Sequence, residues 1–229
     1  MFHGRSIFRD RTDAGRKLAE ALGGFADSEP LVLALPRGGV PVAFEVAKAL
    51  HAPLDVLLVR KIGAPGHAEY GIGAVVDGKN PQLVLNDEAI ALVRPPQHYI
   101  EAEKERQLAQ IERLRRLYQG GKPPHSVAGR TVIVVDDGIA TGGTVRVALK
   151  ALRKDRAGRI VLAVPVAPRE TLDLIGEEAD EVFCLASPDP FLAVGVQYED
   201  FEQTTDDEVI KLLQEAERFG RERSIRHIM

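Results

Sequence analysis

Cysteine occurs once in these 229 residues, at Cys184, which excludes an internal disulfide and a thiolate metal cluster. Its place behind Val182 and Phe183 in an apolar run reads as a buried structural thiol. No stretch approaches the ~20 apolar residues that a membrane-spanning helix needs. Positive charge is not in excess, since 30 Lys and Arg stand against 34 Asp and Glu, a net charge of −4 with an isoelectric point near 5.9. A global basic field to recruit nucleic acid is therefore missing, as is any helix-turn-helix pattern. Internal repeats and low-complexity tracts are also missing. Residues 1–13 carry Arg5, Arg9 and Arg11 but no apolar segment, so they do not read as a signal peptide, and a cytoplasmic location is expected.

What is present is an ordinary globular composition, 45% hydrophobic and 28% charged, at a length that fits one large α/β domain. Short apolar runs alternate with segments of helical periodicity. Strands are expected at 31–35, 54–59, 132–135, 160–165 and 181–185. Helices are expected at 11–22, 40–50, 95–120, 142–154 and 206–219. Residues 72–76 and 82–85 read as a short pair around the turn Asp77-Gly78-Lys79-Asn80. Such alternation implies a mostly parallel central sheet flanked by helices, with ligands at the carboxyl ends of its strands. The charged helix at 95–120 reads as a solvated, ion-paired face without chemistry.

The most specific stretch is residues 132–144, Val-Ile-Val-Val-Asp-Asp-Gly-Ile-Ala-Thr-Gly-Gly-Thr. Four β-branched residues make a strand buried on both faces. Two carboxylates follow where that strand leaves the sheet, and then comes a loop of small and hydroxyl-bearing residues. Val145, Ala148, Leu149 and Leu152 repeat at helical spacing, so a helix begins near Gly142. A glycine-bearing loop that opens a helix presents backbone N–H groups and the positive end of the dipole to a phosphate. Asp136 and Asp137 could hold sugar hydroxyls or Mg²⁺. A ribose 5-phosphate group satisfies both halves. The loop is no Walker A, because no Gly-Lys-Ser/Thr follows its glycines, and no dinucleotide fingerprint, where glycines precede the acid.

This segment resembles the phosphoribosyl-pyrophosphate (PRPP) motif of the type I phosphoribosyltransferases. The resemblance implies a single domain over 1–229. A small hood would form from about 1–10 and 186–205, with a helical insertion at about 87–120. It implies a Mg²⁺-dependent transfer in which a nucleobase-type nitrogen displaces pyrophosphate from PRPP. In that reading Asp136 and Asp137 hold the ribose or the metal. Gly138, Ala140, Thr141, Gly142, Gly143 and Thr144 hold the 5-phosphate.

Two further strand ends fit. Leu35-Pro36-Arg37-Gly38-Gly39 again sets tandem glycines before a helix, and the Arg37 fork suits phosphate. The resemblance assigns Arg37, Gly38 and Gly39 to pyrophosphate and places a cis peptide at Pro36–Arg37. Residues 59–71, with three glycines and a proline, read as a mobile loop without regular structure. The resemblance makes it a closing lid with Lys61 as its catalytic cation. Near the hood, Phe191 would stack on the base and Val194 would lie at its edge. Ala140 stands where hypoxanthine–guanine members carry an acid, so a 6-oxopurine preference is not implied. The expected partners are PRPP and a nucleobase-like acceptor, in a homodimer, without membrane or nucleic acid. The alternative is a PRPP-sensing regulator that keeps the ligand site without efficient catalysis.

Overall fold

A computed structural model describes residues 6–226. Its centre is a five-stranded parallel sheet made of β1 (Leu31–Ala34), β2 (Leu54–Val56), β6 (Thr131–Val135), β7 (Arg159–Val166) and β8 (Glu181–Ala186), in the order β2-β1-β6-β7-β8. Leu31 lies opposite Val132, and Val132 opposite Ile160. Alternate residues point to opposite faces. Ile133, Val135, Val161 and Ala163 pack beneath α1 (Arg11–Ala21), α2 (Gly39–Leu50) and α7 (Asp206–Arg226). Val132, Val134, Ile160 and Leu162 face α5 (Gly143–Lys154) and α6 (Arg169–Ile175). Residues 132–135 have no exposed surface, as a strand covered on both faces requires.

The structure corrects the reading of residues 59–71. The strand expected at 54–59 ends at Val56, and a second, antiparallel sheet begins at Val59. It comprises β3 (Val59–Ala64), β4 (His67–Val76) and β5 (Gln82–Leu85). Two of the glycines in this sheet, Gly63 and Gly73, admit a close neighbouring backbone. A Cβ on Gly63 would lie 2.3 Å from the Ala68 carbonyl oxygen, and one on Gly73 would lie 2.7 Å from that of Val84. The register shifts on either side of Gly63, and Gly66 turns the hairpin at φ 74°.

The insertion is two helices, α3 (Asp87–Val93) and α4 (Gln97–Gln119), broken at Arg94-Pro95-Pro96. Near one end of α4 the Tyr99 hydroxyl donates to the Gly63 carbonyl at 2.9 Å. Near the other, the Tyr118 hydroxyl donates to Asp206 at 2.7 Å. The helix therefore braces the hairpin against the start of α7. Its last turns also enter the interior, where Arg115 and Gln119 join the buried Asp55 and Asp77. The described part of the expected hood comprises residues 6–10 and 186–205, which meet through a bridge between Phe8 and Tyr198; residues 1–5 lie outside the described range. Among the described residues, no helix is long and apolar enough to cross a membrane.

Candidate active site at the carboxyl ends of the strands

Loop 138–142 leaves β6 and opens α5. Gly142 is its N-cap, at φ 72° and without a capping side chain. The first N–H groups of the helix thus lack intrahelical partners and aim outward with the dipole. The loop is pinned from behind, because the Ile139 N–H donates to the Val166 carbonyl and the Thr171 hydroxyl to that of Ala140, both at 2.9 Å. A Cβ on Gly142 would meet Ile175 Cδ1 at 2.6 Å and Thr171 Cγ2 at 2.9 Å, whereas one on Gly143 would meet nothing within 4 Å. Helix α6, absent from the sequence reading, is therefore the buttress of the phosphate loop. Its signal in the sequence is thin, a single pair at i, i+4 (Thr171 and Ile175) behind Pro168.

Arg37 follows a cis peptide at Pro36–Arg37, as the resemblance implied. The turn lies hard against the end of β6. A Cβ on Gly38 would sit 2.0 Å from Asp137 Oδ2, and one on Gly39 would sit 2.8 Å from the Val135 carbonyl oxygen. The arginine head is 3.6 Å from Asp206 Oδ1, the oxygen that also receives the Tyr118 hydroxyl. Burial, then the Asp206 carboxylate, push the Tyr118 phenol up to about 12, so it stays a neutral donor.

The acids are unequal. Arg11, not singled out in the sequence, donates through Nε to Asp137 Oδ2 at 2.8 Å, and the Tyr198 hydroxyl donates to the Asp137 carbonyl at 2.5 Å. Asp136 makes no ion pair among the described residues; its Oδ1 accepts the Asp137 N–H at 2.9 Å. Burial raises the carboxyls of both. The Asp137 charge pushes Asp136 further up, while Arg11 opposes the rise at Asp137. A pair of crowded, desolvated carboxylates is a place where a cation relieves repulsion. No cluster of three or more His, Cys, Asp or Glu suited to a metal occurs among the described residues. Two carboxylates nevertheless suit Mg²⁺, which binds through one or two of them and lets substrate phosphates complete its shell.

Lys61 projects from β3 opposite the buried Ile62, into a groove of about 500 Å³ shared with Gly143, Thr144, Arg146 and Lys150. The hairpin thus stands across from the opening of α5. His67 is exposed at its tip. Phe191 and Val194 are half-buried and pack on Phe8, Ala14, Val166 and Tyr198. Val194 overlies Gly138, where a Cβ would lie 2.5 Å from Val194 Cγ1. The structure therefore brings Arg37, Gly38, Gly39, Asp136, Asp137 and the 138–144 loop to one edge of the parallel sheet. Lys61 flanks them on one side, with Phe191 and Val194 on the other.

A parallel sheet with an acid pair and a glycine-capped helix at its strand ends is the architecture of one domain class, and the matches agree. The family profile of the phosphoribosyl transferase domain covers residues 9–200, and this chain belongs to that family. In Mycobacterium tuberculosis (strain ATCC 25618 / H37Rv), "Putative phosphoribosyl transferase Rv0571c" is 44% identical over 212 residues, which is 93% of this chain and 47% of that protein. The chain thus spans about half the length of the curated relatives it matches. The crystal structure of TT1426 from Thermus thermophilus is 44% identical, with a TM-score of 0.78 over 91% of this chain and 98% of that one.

Proposed function

We propose that this chain transfers the phosphoribosyl group of PRPP to a nucleobase-type nitrogen in a Mg²⁺-dependent reaction. The observation that carries this reading is the uncapped, glycine-opened start of α5 directly behind two desolvated acids. The acceptor nitrogen attacks C1′ with inversion, and pyrophosphate leaves. The transition state resembles an oxocarbenium ion, so the protein contributes mainly orientation and charge neutralisation. Residues 140–144 hold the 5-phosphate, and Lys61 adds a cation across the groove. Arg37 and the backbone of Gly38 and Gly39 hold pyrophosphate. The acid pair fixes the ribose hydroxyls or the metal, while Phe191 and Val194 flank the acceptor. Mg²⁺ bound there would neutralise the departing pyrophosphate.

The test is PRPP binding by calorimetry with Mg²⁺, followed by pyrophosphate release against a panel of nucleobases. Binding with release for at least one base is the expected result. PRPP binding without release for any base would favour a ligand-sensing role, and no PRPP binding would remove the reading altogether.

A further inference from the structure

Arg37, the cation of the turn before α2, already faces an anion within the chain. Its head lies 3.6 Å from Asp206 Oδ1, and the Tyr118 hydroxyl donates to that same oxygen at 2.7 Å. Three distant segments therefore meet here: the Pro36–Gly39 turn, the last turn of α4 and the first turn of α7. Each is fixed from elsewhere. Helix α7 packs on α2 through the rings of Phe44 and Phe219, 5.3 Å apart, and Val209, Leu213 and Ala216 are buried in the same core. Tyr118 is buried, and its phenol stays a neutral donor. Thr205 caps α7, since its hydroxyl oxygen accepts the Glu208 N–H at 3.2 Å, so the helix does not need the Asp206 carboxylate to begin. The side chains of Arg37 and Asp206 are 37% and 45% exposed, and a dissolved anion can reach both without unfolding anything.

We infer that Asp206 is an internal counter-ion, which occupies Arg37 until the pyrophosphate end of PRPP displaces it, and that Tyr118 holds the carboxylate in place. Displacement rests on the PRPP reading above, whereas the pairing does not. An exposed ion pair is weak, so one anion is readily exchanged for another. Pyrophosphate seated on Arg37 also comes beside the Asp206 charge and is repelled by it. The contact therefore lowers the affinity for pyrophosphate and favours its departure after transfer. Other groups hold the 5-phosphate at the start of α5, so ribose 5-phosphate does not compete with Asp206.

Two measurements test it, and the first needs no ligand. Phenylglyoxal labels arginine side chains, and mass spectrometry reads the extent at each, with the exposed Arg169 as internal reference. Asp206→Asn should label Arg37 about twofold faster or more, within the scale of a lost exposed ion pair. An unchanged rate would show that the carboxylate does not hold the guanidinium, and the counter-ion role would fall.

The second measurement is calorimetry with Mg²⁺, with pyrophosphate and ribose 5-phosphate as the probes. Asp206→Asn should tighten pyrophosphate about fivefold and leave ribose 5-phosphate within about twofold. Asp206→Glu keeps the charge and should stay close to wild type. Tyr118→Phe frees the carboxylate and should tighten pyrophosphate by a smaller factor, and adding it to Asp206→Asn should bring no further gain. A further gain would take the Tyr118 hydroxyl out of the arrangement. Weaker pyrophosphate binding by Asp206→Asn would make the acid a support of Arg37 rather than its competitor, which would overturn the inference. Equal shifts for the two probes would mark a general change of structure, with the same consequence. If the wild type bound neither probe, displacement would fall with the PRPP reading, while the labelling would still judge the pairing of Arg37 with Asp206.

Discussion

Gly142 and Gly143 are adjacent and chemically identical, yet they answer different questions. At Gly142 a side chain meets positive φ and the flank of α6, so Gly142→Val should destabilise the fold by about 1–3 kcal/mol and says little about ligand. At Gly143 a side chain would enter open space at the mouth of the helix. Gly143→Val should therefore keep the unfolding free energy within about 1 kcal/mol of wild type while weakening PRPP tenfold or more. A variant with unchanged affinity by calorimetry would move the phosphate away from this turn. The phosphate loop was legible in the sequence because strand, acids, glycines and helix are contiguous and each carries its own local rule. The partner of Asp137 was not legible. Arg11 lies 126 positions earlier, and as a sequence feature it is one of three arginines near the amino terminus.

At the level of elements, the strands and helices of the parallel sheet followed apolar period except for α6 and the end of β2, and the cis peptide at Pro36–Arg37 followed the resemblance. In the second sheet the pair expected at 72–76 and 82–85 is present, and only the hairpin before it was misread, because glycine has two uses. Residues 59–71 looked like a loop by composition, whereas Gly63 and Gly73 admit a neighbouring backbone that any Cβ would repel. This changes what is expected of Lys61. On a paired strand its position is set before ligand arrives, so it should act on the ground state as well as on turnover. Lys61→Ala should weaken PRPP about tenfold, the size of a lost charge-assisted contact. A Kd within twofold of wild type would take Lys61 out of the phosphate groove. The brace should show as well. Tyr99→Phe removes the bond to Gly63 and, at about 0.5–1.5 kcal/mol for a hydrogen bond, should speed hydrogen exchange through β3 and β4. Exchange unchanged there, with the rest of the protein protected, would mean that the hairpin stands without its strut.

For the whole molecule, stability in acid should depend on the buried cluster at the foot of α4. Burial pushes the Asp55 carboxyl up. Hydrogen bonds from the His125 ring and backbone (2.9 and 3.1 Å) and the Arg115 charge more than offset this and leave it below its ordinary value. A carboxylate lowered in the fold contributes stability above its unfolded value, near 4, and loses it as pH falls through the folded value. Asp136, raised by burial and then by Asp137, works in the opposite sense, since protonation relieves it. Asp55→Asn should therefore lower the urea midpoint at pH 7 and narrow the difference between pH 7 and about pH 3. An acid limb as steep as that of wild type would place the sensitivity elsewhere.

The strand order also sets a timetable for synthesis. In the parallel sheet β1 lies between β2 and β6, and Leu31 pairs with Val132, about 100 residues later in the chain. At roughly 5–20 residues per second, a ribosome takes about 5–20 s to supply that partner. Through this interval β1 offers an open apolar edge on the emerging polypeptide, the kind of surface that chaperones shield and that aggregates when they do not. The two helices of residues 87–119 lengthen the wait, yet a helix is built from local hydrogen bonds and can form before the sheet closes. An insertion with no assigned chemistry thereby determines how long the nascent core stays unfinished.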